Sequence, residues 1–141
     1  MRFVHAVTGL LGLIALAFAG CQSSKAQLLA AESSQVRLRS IQTRAFDTAD
    51  KNATLRAVMA TLQDLGFVLD DADDVLGTVS ATKLDRYAVR MTVSVRPRGT
   101  AQLLVRASAQ YNLRAIEEPE PYQQFFNALG KAMFLAANQV D

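Results

Sequence analysis

The chain has 141 residues, with 15 basic and 13 acidic side chains, one histidine and one cysteine. Near-balanced charge leaves no strongly basic face of the kind nucleic-acid binding needs. The positions of His5 and Cys21 leave the chain beyond residue 21 no means of building a Ser-His-Asp triad, a Cys-His pair or a His/Cys zinc site.

Arg2 and His5 give a short basic start, and residues 7–19 form an apolar run interrupted only by Thr8, Gly9 and Gly12. This length suits the h-region of an export signal and is too short to span a bilayer. The run closes on Leu16-Ala17-Phe18-Ala19-Gly20-Cys21. Ala19-Gly20-Cys21 resembles the lipobox of bacterial lipoproteins, where small residues let the signal peptidase grip the backbone. Phe18 stands where that family usually has leucine.

The resemblance implies that residues 1–20 are a lipoprotein signal peptide and that Cys21 is acylated. An ordinary secretory signal with an incidental cysteine is the alternative. Buried acyl methylenes contribute roughly 0.8 kcal/mol each, so two or more chains anchor a protein stably to a lipid bilayer. Gln22, in place of aspartate, implies the periplasmic face of the outer membrane of a Gram-negative cell. Residues 21–35 are polar and alanine-rich and read as the acylated N-terminus and a tether, with room for a short helix over residues 26–32.

Residues 36–141 read as a single α+β domain facing the periplasm. Val36, Leu38, Ile41 and Phe46 suggest a first strand. Asp47-Thr48-Ala49-Asp50 supplies capping oxygens for a helix whose apolar face is Leu55, Val58, Met59, Leu62 and Leu65, ended by Gly66. Phe67-Val68-Leu69 reads as a short strand, the aspartates of residues 70–74 as a solvated turn, and residues 75–82 as the returning strand. An EF-hand loop needs oxygen ligands at positions one, three and five. Starting at Asp71 puts Val75 at position five and starting at Asp70 puts Ala72 at position three, so no metal or other cofactor is expected.

Alternation of Tyr87, Val89, Met91, Val93 and Val95 with Ala88, Arg90, Thr92, Ser94 and Arg96 marks the clearest strand. Pro97-Arg98-Gly99 reads as the turn into a partner strand with Ala101, Leu103, Val105, Ala107, Ala109, Tyr111 and Leu113 inward. The simplest register sets Arg96 opposite Thr100, Val93 opposite Leu103, Val89 opposite Ala107 and Arg90 opposite Arg106. Like charges directly opposite are mildly destabilising, so this pair is a candidate contact for an acidic partner surface or an anionic head group, solvent and counter-ions being the plainer explanation. Glu117-Glu118-Pro119-Glu120-Pro121 opens a last helix with Tyr122, Phe126, Leu129, Met133, Ala136 and Val140 on one face and Phe125 at its edge. Phe134 and Leu135 fall about 120° and 220° around that helix from Tyr122. They are candidate partner contacts unless strand one or the tether packs over them. The expected fold is a two-layer β-α-β-β-β-β-α domain, an antiparallel sheet with two helices on one face.

Four stretches, Arg44-Ala45-Phe46-Asp47-Thr48, Leu55-Arg56-Ala57-Val58, Thr61-Leu62-Gln63-Asp64-Leu65-Gly66-Phe67 and Pro121-Tyr122-Gln123-Gln124-Phe125-Phe126, resemble a group of uncharacterised proteobacterial outer-membrane lipoproteins. The element order is more distantly similar to the small lipoproteins of the β-barrel assembly and lipopolysaccharide export machineries, a likeness of architecture and membrane address. These features lead to the expectation of a non-catalytic envelope module with an envelope protein partner. A small-ligand or lipid carrier is the alternative, with Tyr87, Tyr111, Tyr122, Phe125 and Phe126 available to line a space between helices and sheet.

Overall fold

The computed structural model describes residues 20–138, except for the side chains of residues 21–23, 85 and 137. The expected signal peptide up to residue 19, and Val140, lie outside these residues. The chain divides into two compact units, Met1–Leu38 and Arg39–Asp141. Helix α1 (Gly20–Gln42) begins in the first. It is followed by β1 (Thr43–Phe46), α2 (Lys51–Asp64), β2 (Val68–Asp73), β3 (Thr78–Asp85), β4 (Tyr87–Arg98), β5 (Gln102–Tyr111), the two-residue β6 (Arg114–Ala115) and α3 (Glu120–Asn138). The strands form one antiparallel sheet in the order β1-β5-β4-β3-β2, with β6 paired to β5.

The expected α+β architecture is present. Helices α2 and α3 both pack on one face of the sheet. Leu55, Val58 and Leu62 of α2 and Tyr122, Phe125, Phe126 and Leu129 of α3 join Val79, Ala81, Met91, Val93, Val95, Leu103, Val105, Ala107 and Ala109 in a single core. The whole core lies within the unit that starts at Arg39.

Helix α2 begins and ends on local chemistry. The Asp50 carboxylate accepts from the Ala53 N–H at 2.8 Å, satisfying one of the free donors of the first turn. At the other end Phe67 N–H reaches the Leu62 carbonyl and Gly66 N–H the Gln63 carbonyl, both at 2.9 Å. This is a Schellman closure, with Gly66 in the required left-handed conformation at φ +85.

Three local expectations are corrected. Residues 36–42 are helical, and the first strand is only Thr43–Phe46. Val36, Leu38 and Ile41 gave too little alternation to compete with a run of alanine, leucine, glutamine and arginine that contains no glycine or proline from Cys21 to Gln42. Ser33 and Ser34, within the expected tether, are helical here and turn their hydroxyls back onto the Ala30 and Ala31 carbonyls, 2.9 Å in each case.

The aspartate run is a bulged edge strand rather than a turn. β2 continues to Asp73, with a register shift between Leu69 and Asp71, and the chain reverses at residues 74–77. Aspartates and a bulge on an edge strand discourage pairing with another chain.

The β4–β5 hairpin is displaced by four residues from the expected register. Its turn is Gly99-Thr100-Ala101, so Val93 faces Ala107, Val89 faces Tyr111 and Arg98 faces Gln102. Pro97, expected in the turn, is inside the strand. Val95 N–H points toward β3 and meets the Gly77 carbonyl at 2.8 Å. Two residues on, the nitrogen of Pro97 points to the same side, beyond the end of β3, where no ladder bond is lost. An even shift preserves which side chains face inward, so the apolar face was read correctly although the partners were not. Ala101 and Leu113, expected inward, lie beyond the two ends of β5 and are exposed, Leu113 by 95%, and Tyr87 at the start of β4 is exposed as well.

Candidate functional site

The displaced register separates the two arginines expected to face each other. Arg90 lies opposite Gln110 and Thr82, and its Nε is 3.7 Å from the Asp70 carboxylate, which also accepts from the Thr82 hydroxyl at 2.6 Å. Arg106 lies opposite Ser94 and Thr43 and donates from Nη2 to Gln42 Oε1 at 3.4 Å. The open face of the sheet thus lacks the twin-guanidinium fork, and each arginine has its own polar neighbour.

Phe134 and Leu135 are exposed as expected, 67% and 61% respectively. Phe134 stands at the edge of a trough of about 430 Å³ between α2, α3 and the segment that follows β1. Leu135 is not among the residues lining it. The trough exists because its floor is built from small residues. Ala53 and Ala57, one helical turn apart on α2, face Gly130 on α3, where an added Cβ would meet nothing within 4 Å. Phe46 and Met133 form its walls.

The oxygen-bearing groups at the trough are committed locally. Asp50 caps α2, Asp47 accepts from Gln102 Nε2 at 2.5 Å, the Thr48 hydroxyl accepts from Asp50 N–H at 3.2 Å, and the Thr54 hydroxyl donates to the Asp50 carbonyl at 2.8 Å. What remains is an apolar depression that fits an alkyl or aromatic group, without a nucleophile and base in hydrogen-bonding reach of each other. Sequence reading missed this feature, whose only signal was the alanine spacing on α2 opposite a helical glycine. The aromatic residues expected to line a cavity do other work. Tyr122, Phe125 and Phe126 are core, whereas Tyr87 and Tyr111 meet at one end of the sheet with ring centroids 4.7 Å apart.

Tyr122 closes a gap in the sheet. β5 is covered by β1 along residues 103–106 and by β6 at residues 110–111, leaving a stretch between them. There the Tyr122 hydroxyl accepts from Ala109 N–H at 3.2 Å, donates to the Ile116 carbonyl at 2.6 Å and accepts from Gln42 Nε2 at 3.2 Å. One buried phenol takes the place of a missing strand and fixes the C-terminal end of α1 to the sheet.

Cys21 is the second residue of α1. Among the described residues, no helix is long and apolar enough to cross a membrane, and no group of three or more His, Cys, Asp or Glu side chains is placed to hold a metal ion. No protein-family model matches the chain, and no curated protein matches it.

Proposed function

We propose that this chain is a lipid-anchored, non-catalytic module of the bacterial envelope, held at the periplasmic face of the outer membrane by acylated Cys21 and serving an envelope protein partner in assembly or transport. The observation that carries the reading is the apolar run of residues 7–19 closing on Ala19-Gly20-Cys21. Two further features support it. The domain has a complete core of its own from Arg39 onward, and the polar groups around its one described trough of this size are spent on local backbone and side-chain bonds. The resemblance to proteobacterial outer-membrane lipoproteins belongs to the same proposal.

The test is a Cys21→Ser variant expressed in a Gram-negative host and labelled with an alkyne fatty acid. Loss of label and release from the outer-membrane fraction is the expected result. Unchanged outer-membrane partitioning overturns the anchor. Crosslinking in intact cells followed by mass spectrometry should return defined envelope proteins.

A second reading, a carrier for a lipid or small apolar molecule, is favoured by the trough itself, whose volume falls within the range of small-molecule sites, roughly 300–1,000 Å³. It predicts a bound molecule in native mass spectra that disappears in Ala57→Phe, while defined crosslinks would be few.

A further inference from the structure

The end of the sheet formed by the β3–β4 and β5–β6 connections carries an unusual set of exposed side chains. Leu84 is 84% exposed, and Leu113 and Tyr87 are also exposed. The two connections lie side by side: Asn112 N–H donates to the Ala88 carbonyl at 3.1 Å, and the Tyr87 and Tyr111 rings meet edge to face. Arg86 sits at the apex of one and Arg114 directly follows the other, opposite Tyr111. Among the described side chains neither guanidinium has a hydrogen-bond or ion-pair partner. Glu117 and Glu118 follow Ile116, whose N–H is bonded to the Ala109 carbonyl, so the chain that carries them is already running away from the tip.

We propose that this tip inserts into the interfacial layer of an anionic lipid bilayer. Leucines and tyrosines enter the head-group region while Arg86 and Arg114 meet lipid phosphates. Three observations favour lipid over a protein partner. The apolar residues project from two turns instead of lining a groove, so they suit a deformable medium rather than a rigid complementary surface. Tyrosine is amphipathic and concentrates at membrane–water interfaces, and cations beside exposed apolar groups match the anionic phosphates of such a surface. Arg86 is also held at φ +58, where glycine costs less. A backbone outlier of this kind points to a side chain retained for what it contacts. The other end of the sheet also exposes apolar residues, Val75 and Leu76, but places them in a turn beside two aspartates, Asp73 and Asp74. The tip has one acid, Asp85, against Arg86 and Arg114, so an anionic surface favours the tip.

This inference goes beyond the lipid anchor and does not depend on it. It is tested on the chain from residue 22 onward, which contains the whole core and lacks the acylation site. The protein is sedimented with vesicles of phosphatidylethanolamine and phosphatidylglycerol, and with vesicles of phosphatidylcholine alone. Binding to the anionic vesicles is expected, weakening as salt rises. Leu84→Asp with Leu113→Asp should lower partitioning about tenfold or more. Arg86→Gln with Arg114→Gln should lower it about tenfold on the anionic vesicles and flatten the salt dependence. Val75→Asp with Leu76→Asp should leave it unchanged. All these positions are exposed, and an unchanged melting temperature confirms that each variant is folded. No sedimentation of the parent, equal losses from changes at both ends, or tip-dependent crosslinking to a protein without vesicle binding would each overturn the proposal. Because the protein tested carries no acyl chain, failure here leaves the Cys21 test untouched, and failure of that test leaves this one standing.

Discussion

The two ends of the sheet use the same uncommon backbone conformation in different ways. At one end the β2–β3 turn contains Gly77 at φ +70, pressed against its neighbours. A Cβ built there would lie 2.5 Å from the Val95 carbonyl oxygen and 2.7 Å from Lys51 Cε. Lys51 itself reaches across to the Val75 carbonyl at 3.0 Å, and Gly77 supplies the acceptor for Val95 N–H. At the other end Arg86 and Asn112 hold φ values of 58 and 51 with exposed side chains. Left-handed backbone under close contact demands glycine, whereas the same conformation facing solvent tolerates asparagine or arginine at a modest cost. The Gly77 turn is held by packing, although Gly99 at the same end, left-handed at φ +66, meets nothing within 4 Å. The turns at Arg86 and Asn112 leave the same conformation exposed on residues other than glycine.

Gly77→Ala should produce the largest change. The substituted Cβ meets a backbone oxygen that cannot swing aside, and the conformation is strained for alanine even in open space. A loss of about 3 kcal/mol or more is expected in urea unfolding. A loss under about 1 kcal/mol would mean that the turn can relax and that the contrast between the ends is weaker than drawn.

Tyr122→Phe comes next, and it extends the comparison to the tyrosines. Tyr122 is fully buried with three hydrogen bonds, whereas Tyr87 and Tyr111 meet at the open end. Removing the hydroxyl leaves Ala109 N–H and Gln42 Nε2 without their acceptor, at an expected cost of about 2 kcal/mol. Faster hydrogen exchange confined to residues 107–109 would place that loss in the gap between β1 and β6. Tyr87→Phe should leave stability nearly unchanged.

The sequence carried much of this, and its failures have physical reasons. Inward and outward faces of β4 and β5 were legible because alternation depends only on parity. Their register was not, because Pro97-Arg98-Gly99 looks like a turn until β3 is known to end before Pro97. The helical state of residues 36–42 was hidden by three apolar residues that fit a strand loosely. Phe134 and Leu135 were placed on the exposed side by helical phase alone. The trough beside Phe134 and the tip at Leu84 and Leu113 arise from elements far apart in sequence, and only the alanine spacing on α2 hinted at the first.

Arg86→Gly should give a smaller effect of opposite sign. Relief of the left-handed arginine outweighs the added freedom of the unfolded chain, for a gain of about 0.5–1 kcal/mol. The same change should weaken binding to anionic vesicles. A variant that is both more stable and less adherent separates what the tip does from what holds the fold together. Loss of stability would show that the arginine side chain supports its own turn.

The smallest effect concerns the ionisation of Tyr111. Desolvation of its phenol, and then its hydrogen bond with Tyr87, hold its pKa above the ordinary value of 10.0. The folded protein therefore keeps this proton more tightly than the unfolded chain does. The resulting stabilisation is fully present below pH 10 and is lost as pH rises through the folded-state pKa. The difference between ultraviolet titrations of the parent and of Tyr111→Phe should show Tyr111 ionising above the ordinary value, and Tyr87→Phe should move that ionisation down toward the ordinary value without reaching it, because the desolvation remains. Bilayer insertion would bury the pair further and push the same ionisation higher in the presence of anionic vesicles. Tyr111 is thus a reporter of the tip's surroundings that needs no added label. A titration identical with and without vesicles, under conditions where the protein sediments with them, would place the bound surface elsewhere on the molecule.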